Sequence, residues 1–485
     1  MATPLPPNRA SFTLAEILAA TGGELARAGA DRVTAISTDT RAITSGACFV
    51  ALRGEVHDGH AHLAAAAAKG ATLAIVDRAV EAPAGLAIVR VRDTLIALGD
   101  LARAHARRWR GSSAARRVVA ITGSAGKTTT RIAVTALLGA VMDPGAILSA
   151  TGNLNNRVGV PMVLLGLEPR HEVAVIEMGM NQPGEIAELS RIAEPEIGVV
   201  TLIAAAHTEG LGSIAAVAEE KGALYRALPV DGWAFGNADD PRVNAELARS
   251  PAEHQRRHGR AEGADHRILA REPVGMTSSR VNVNGASFTT PLLGEAGALA
   301  CAAAIAVVTD AFGARPSDAL CTEAFARADV GAGAGRLVPR VFPSGLAVID
   351  DTYNANPAST VASILAAAEI ARATGRRLIL VLGEMKELGP ESARGHDEVG
   401  RAAAESGAHA VFAVGGGHSA QIALRVALTG KQAAHCGRVE DTADLVKRAA
   451  RPGDLVLVKG SRSIGTERVV RALADEHQRA AGDSA

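Results

Sequence analysis

An α/β protein of three domains is predicted by three observations. Apolar runs of strand length alternate with helical patterns through the middle of the chain. The glycine-rich stretch ITGSAGKTTT, residues 121–130, falls where one of those strands should pass into a helix. After GAGAGR, residues 331–336, the alternation starts afresh. Such alternation argues for parallel sheets with helices on both faces. The length agrees: 485 residues make about three domains at roughly 100–200 residues each.

Residues 12–92 read as a small α/β unit. SFTLAEILAAT is amphipathic at helical spacing, HAHLAAAAAKGA is a second helix and TLAIVD a short buried strand. DTLIALGDLARAHARRWR, residues 93–110, is a basic helix leading into the next unit, and GSSAA is the linker after it. RRVVAI, EVAVIEM, IGVVTLI and GWAFGN are the strands of a parallel sheet. RVNVNGASFTT alternates around Asn284-Gly285 and predicts a β-ribbon. GAGAGR is the second hinge; beyond it GLAVID, RLILVLG, HAVFAVG and DLVLVKG, each followed by a helical segment, predict a Rossmann-like sheet. The expected domains are 1–92, 93–332 and 333–485.

Composition excludes several classes. Apolar residues are 48%, too many for a disordered chain. Lys plus Arg equals Asp plus Glu at 51 each, so no overall charge draws the protein to nucleic acid. Cys48, Cys301, Cys321 and Cys436 are scattered, which argues against a disulfide framework or zinc site and fits a reducing compartment. The N-terminus lacks a secretory pattern, and the apolar run Ala296–Thr309 is short for a membrane span. A cytoplasmic protein, without nucleic-acid or membrane partners and acting as a monomer, is the expectation.

The glycine-rich loop carries the first chemistry. Between strand and helix, its backbone N–H groups and the positive helix end suit a phosphate. Gly123, Ser124, Ala125, Gly126, Lys127, Thr128 and Thr129 are the candidate ATP-binding residues. Lys127 would reach the outer phosphates and Thr128 would present its hydroxyl to Mg²⁺. The spacing is the shorter GxxGKTT, with Ile121 where the longer GxxxxGK[ST] pattern has its first glycine. A glycine turn with a solvated lysine is the bland alternative. VGGGHSA, residues 414–420, is a weaker glycine turn that would suit a dinucleotide. Ligands of open α/β sheets gather at the carboxyl ends of strands. Glu177 ends one strand, His207 follows another and Lys221 lies on the next helix. Glu177 beside Thr128 suits the oxygen preference of Mg²⁺. A lone histidine is more often structural, and a helix lysine is more often solvated.

Eight further segments are distinctive: STDTR (37–41), FVALRGEVHDGH (49–60), TGNLNNRVGVP (151–161), IEMGMNQPGEI (176–186), AAAHTEGLGS (204–213), DDTYNANP (350–357), LGEMKELG (382–389) and LVKGSRSIGTE (457–467). With GSAGKTTT, and in this order from about residue 12 to about residue 472, they resemble the Mur ligase family. Within it the chain is most similar to the members that join D-alanyl-D-alanine to UDP-N-acetylmuramoyl-tripeptide. The resemblance implies an N-terminal UDP-binding unit, a central P-loop ATPase sheet and a C-terminal Rossmann-like unit. It implies an ATP-dependent amide ligase of peptidoglycan synthesis working through an acyl phosphate. Glu177 and His207 would hold Mg²⁺ with Thr128, and Lys221 matches a lysine carbamylated by CO₂. Lys127, Glu177, His207 and Lys221 are the implied catalytic set. Arg336, Asp351, Tyr353, Asn354 and Asn356 would meet the nucleotide from the C-terminal domain. Asn153, Asn155 and Asn156 suit the sugar or peptide, Ser37, Asp39 and Arg41 the uridine diphosphate, and Lys459, Ser461 and Arg462 the peptide carboxylates.

The chain also departs from that family. Ala296, Gly297 and Ala300 stand where relatives usually carry a His-Asn pair and a further Asn that contact adenine. Leu202 replaces a common Asn, and Glu219 replaces a lysine of some relatives. A sibling amino-acid ligase, a folylpolyglutamate synthase and a non-catalytic nucleotide-binding protein are the alternatives.

Overall fold

The computed structural model describes residues 4–54, 57–150, 152–328 and 335–479. Three large sheets follow one another along the chain. Strands between residues 24 and 90 form the first, with five strands in the order 24–27, 87–90, 71–76, 47–50 and 36–37. Strands between residues 117 and 290 form a nine-stranded sheet, and strands between 338 and 459 form a six-stranded one.

The long helix Thr94–Arg110 joins the first two sheets. Asp93 caps it by accepting from Leu95 N at 2.7 Å and Ile96 N at 3.0 Å, which satisfies two of the free donors at a helix start. Leu98, Leu101, Ala102 and Trp109 fall at helical spacing and are buried. Each large apolar side chain so buried contributes about 1.5–3 kcal/mol. At the rim, Arg103 and, in the last turn, Arg107 both pair with Glu194.

The nine-stranded sheet positions the site. From one edge its strands run 147–149, 173–177, 117–122, 197–200, 233–237, 254–259 and 266–274, all parallel. The ribbon 278–283 and 286–290 then continues it antiparallel. Asn284 and Gly285 both have positive φ, 51° and 95°, as a tight primed hairpin turn requires. The strand 117–122 lies between 173–177 and 197–200, so its carboxyl end opens at the middle of the parallel part.

The C-terminal sheet has the order 338–341, 347–351, 455–459, 378–383, 410–414 and 432–436. Its four apolar runs are the four expected strands. The edge strand Gln432–Cys436 is partly exposed and lacks an apolar run, which hid it from periodicity. The strands at 24–27, 36–37 and 147–149 span only two to four residues, too few to show a period. The expected hinge at 331–336 lies, through Ala334, outside the described residues.

The apolar run at 296–309 is longer than its sequence boundaries. A helix Gly294–Ala306 continues as a π-helical turn Val307–Ala311, giving 18 residues that meet the length and composition of a membrane span. Ala298, Cys301, Ala302, Val307 and Val308 are fully buried within the same core as Val134, Leu137 and Leu138 of the helix Lys127–Val141. This is therefore the central helix of a domain core.

Candidate active site

The strand Arg117–Thr122 ends in the phosphate loop and the helix Lys127–Val141 starts immediately after it. Gly123 has φ 150°, and a Cβ there would fall 1.9 Å from Thr201 Oγ1. Only glycine permits this approach to the neighbouring strand end. The loop is pinned on that side: Ser124 N donates to Leu202 O at 2.7 Å, Ser124 Oγ to Ala204 O at 3.0 Å, and Thr201 Oγ1 to Ala125 O at 2.5 Å. Leu202 thus serves through its carbonyl.

Lys127 folds back and donates to Gly123 O at 2.8 Å. Burial pushes its pKa down, with Glu177 opposing and Arg336 assisting. The amine is thus folded onto its own loop at the cavity floor. Thr128 is 1% exposed and donates to Glu177 Oε2 at 2.7 Å. Asn155 Nδ2 donates to the other carboxylate oxygen, also at 2.7 Å. Burial pushes the Glu177 carboxyl up, but Lys127, Arg336, Arg131 and Thr128 outweigh it and hold it below the usual range. A buried carboxylate and hydroxyl in contact are hard oxygen donors, the kind Mg²⁺ takes. Among the described residues no group of three His, Cys, Asp or Glu is clustered for a metal, so phosphate and water oxygens would have to complete the shell.

His207 sits just before the short helix Thr208–Leu211 at φ 56°, an uncommon conformation for a residue with a side chain. Its Nδ1 lies 2.6 Å from Glu387 Oε2. That contact holds the Glu387 carboxyl below its ordinary value. Thr208 Oγ1 donates to Leu388 O at 2.8 Å, and Glu209 N donates to Glu387 O at 3.2 Å. The loop 384–389 of the C-terminal sheet is therefore docked on the His207 turn. Glu387 belongs to LGEMKELG, but nothing in its spacing assigned it a partner.

Lys221 lies on the helix Ile214–Arg226 and is 1% exposed. No hydrogen bond from a described residue reaches its amine. Burial pushes its pKa well below the ordinary lysine value, Lys127 pushes it further, and Glu220 opposes weakly. Glu220 is itself committed, accepting from Gly184 N at 2.8 Å and Ile186 N at 2.7 Å. Glu219 pairs with Arg226 and Arg249 on the surface.

The C-terminal domain closes the site from the other side. The Arg336 guanidinium lies 4.0 Å from the centre of the Tyr353 ring, a cation–π contact. Asp351 accepts from Lys459 Nζ and Ser363 Oγ, both at 2.6 Å. Lys459 also donates to Asn354 O at 2.9 Å. Asn356 caps the helix Pro357–Thr374 by accepting from Ser359 N at 2.9 Å, and its Nδ2 donates to Ser124 O at 3.0 Å. One side chain thus serves as the cap of the bland reading and as a bridge onto the phosphate loop. Asn356→Ala should lower unfolding stability by about 1 kcal/mol through the lost cap. It should also raise the KM for ATP, because the bridge is lost; denaturant unfolding and steady-state kinetics check the two effects.

A single cavity of about 750 Å³ collects most of the expected residues. Ser124, Ala125, Gly126, Lys127 and Thr129 line its floor; Glu177, His207 and Asn153, Asn155 and Asn156 line one wall. Arg336, Asp351, Tyr353, Asn354, Asn356 and Lys459 line the facing wall. Gly123, Thr128 and Lys221 stand behind its surface. Asn156 turns the chain into the helix Gly159–Leu165, accepting from Val158 N at 3.2 Å and from Gly159 N at 2.8 Å.

Two groups lie elsewhere. Ser37 Oγ donates to Asp39 O at 3.0 Å, and Asp39 accepts from Arg41 N at 2.9 Å and from the Arg41 guanidinium at 2.7 Å. This is the cap-and-salt-bridge alternative for STDTR, and these residues do not line the cavity. Ser461 accepts from Lys386 N at 2.9 Å, and Arg462 is exposed. Neither lines the cavity. His258, in the polar strand His254–Gly259, does line it. It was missed because HQRRHG has no apolar pattern.

Comparison with known proteins agrees with this geometry. Residues 32–106 match the model of the Mur ligase family, catalytic domain; residues 121–308 match the Mur ligase middle domain; residues 335–462 match the Mur ligase, glutamate ligase domain. The UDP-N-acetylmuramoyl-tripeptide–D-alanyl-D-alanine ligase of Escherichia coli (strain K12) is 36% identical, with 96% of this chain and 99% of that protein covered. The protein of the same name from Bacillus subtilis (strain 168) is 32% identical, with 91% and 93% covered. Among solved structures, MurF from Acinetobacter baumannii superposes with a TM-score of 0.83 at 29% identity, covering 98% of this chain and 100% of that one. MurF ligase from Thermotoga maritima in complex with ADP superposes at 0.78 and 26% identity, covering 92% and 98%. A phosphate loop faced across one cavity by a Rossmann-like domain, together with these matches over nearly the whole length, shows that the chain belongs to the Mur ligase family.

Proposed function

We propose that this protein is an ATP-dependent ligase that joins D-alanyl-D-alanine to UDP-N-acetylmuramoyl-tripeptide, forming the pentapeptide precursor of peptidoglycan. The observation that carries this is the phosphate loop, with its Thr128–Glu177 contact, facing Arg336, Tyr353 and Asn356 across one cavity. The relatives named for this reaction match over nearly their full length.

A carboxylate is a poor electrophile because its leaving group would be oxide. An oxygen of the tripeptide carboxylate attacks the γ-phosphorus of ATP, and the bond to ADP breaks. The dipeptide amine then adds to the acyl carbon, and the tetrahedral adduct expels phosphate as the amide forms. Lys127 leaves Gly123 O for the outer phosphates, and Arg336 approaches them from the C-terminal side. Thr128 and Glu177, with His207 nearby, would hold Mg²⁺, which would supply charge neutralisation at the phosphates. Glu387 orients His207 only while the C-terminal loop is docked, which ties closure to the site's completion. Closure also excludes the water that would hydrolyse an acyl phosphate.

A neutral amine is the form that adds CO₂, and the burial of Lys221 beside Lys127 favours that form. Carbamylation would convert it to an anion facing Lys127. Asn153, Asn155 and Asn156 take the sugar or peptide, and Asp351 the ribose if Lys459 yields an oxygen. Ser37, Asp39 and Arg41 take the uridine diphosphate, and Lys459, Ser461 and Arg462 the peptide carboxylates. The domains divide at 92/93 and 332/333. One copy carries the whole cavity, so a monomer suffices, and the nucleotide substrates fit a cytoplasmic enzyme. Phosphate release by the purified protein with ATP and Mg²⁺ should require both the UDP-linked tripeptide and D-alanyl-D-alanine. ATP binding without such release would leave a non-catalytic nucleotide-binding protein.

A further inference from the structure

The cavity has a lobe that the phosphate chemistry does not use. It lies at the carboxyl ends of the strands 233–237 and 254–259, which stand two and three places from the strand that feeds the phosphate loop. Three strand spacings amount to about 14 Å, the reach of a ribose and base beyond the phosphates. The helix Gly294–Ala306 contributes Glu295, Ala296, Gly297, Leu299 and Ala300 there, and Ala358 and Ala362 line the cavity from the C-terminal domain. No side chain fits at Gly297, where a Cβ would fall 2.4 Å from Leu292 O.

Polar groups in this lobe are committed, with one exception. Asn237 donates to Thr201 O at 3.1 Å and accepts from Asp239 N at 3.0 Å. Glu295 is held by Arg260 at 2.6 Å and by Arg271 at 3.1 Å. His258 is 1% exposed, lines the cavity, and its buried Nδ1 has no hydrogen-bond partner among the described residues. Structural histidines of this chain look different. His60, His105 and His396 each hold a bond of 2.7–2.8 Å through a ring nitrogen. Leaving a buried polar atom unpaired is costly, so His258 is a group awaiting a partner. Burial, with a smaller push from His266, lowers its pKa to about 3. At neutral pH the ring is uncharged and offers one donor and one acceptor.

We infer that His258 is the polar contact for the purine base of the bound nucleotide, supplied from the sheet because the one polar side chain that the helix Gly294–Ala306 brings to the lobe, Glu295, is already held by two arginines. This rests on the cavity being a nucleotide site. The test is calorimetric binding of ADP and of inorganic tripolyphosphate to the full chain. His258→Ala should weaken ADP about tenfold, the loss of one buried hydrogen bond, and leave tripolyphosphate unchanged, while His258→Gln should retain most of the ADP affinity. Equal ADP affinity in wild type and His258→Ala overturns the inference. So does an equal loss for ADP and tripolyphosphate. Should the alanine variant fail to fold, the wild-type imidazole ¹⁵N resonance decides. It should shift with ADP and not with tripolyphosphate, and the absence of an ADP shift overturns the inference. Neither measurement needs the tripeptide or dipeptide, so a protein that binds ADP through His258 without ligase activity would sink the proposed reaction alone.

Discussion

Lys127→Ala is expected to lower kcat by about 10³-fold without lowering the melting temperature. The two halves of that expectation have separate causes. Lys127 is half-buried at the cavity floor, and its one hydrogen bond among the described residues is to Gly123 O within its own loop. Burial already disfavours its charge, so removing the amine takes away a desolvation cost along with one bond. Catalytically the loss is uncompensated. Arg336 already serves the phosphates from the opposite wall, and burial pushes Lys221 away from its charged form. Phosphate-release kinetics and a thermal melt on the same preparation check both halves. A variant that keeps more than a tenth of the wild-type kcat would remove Lys127 from the mechanism.

Lys221→Met is expected to be nearly as damaging to turnover, by about 10²-fold, while stabilising the CO₂-free protein near neutral pH. The sign follows from proton linkage. The folded-state pKa of Lys221 is depressed below the ordinary 10.5. Between those two values the unfolded chain binds a proton that the native chain does not, so stability rises with pH across that window. Below the folded-state value both states are protonated and the full cost of the buried charge is present. Methionine removes that cost, and the variant should lose part of the rise in melting temperature between neutral pH and about 10.5. In ¹³C-bicarbonate the wild type should show a carbamate carbonyl resonance that the variant lacks. A variant with wild-type turnover would leave Lys221 a buried structural amine.

The sequence carried the chemistry of the phosphate loop more clearly than its surroundings. GSAGKTTT and the apolar strands 117–122, 173–177 and 197–200 declare themselves because parallel strands are buried on both faces. Glu177 was legible as a strand end, and its contact with Thr128 follows from the parallel register that sets Glu177 beside Ile121. The partners across the cavity were legible only through motif resemblance. Asn356 to Ser124 spans 232 residues, and no periodicity links positions so far apart. Glu387 was hidden for the same reason, because its contact with His207 exists only when two sheets dock. His258 was hidden differently. Its strand is polar in five successive residues, His254 to His258, and shows no apolar run to mark it as a strand. STDTR shows the reverse case, in which a conspicuous motif satisfies itself through an Asp39–Arg41 pair.

The central claim is that ATP activates the tripeptide carboxylate before the amine attacks. Labelling that carboxylate with ¹⁸O and analysing the released phosphate by mass spectrometry tests it most directly. One ¹⁸O should appear in each phosphate formed together with the pentapeptide, because the carboxylate oxygen leaves with phosphorus when the amide bond closes. Phosphate free of ¹⁸O, released at the same rate, would mean that water is the acceptor and that the carboxylate is never activated.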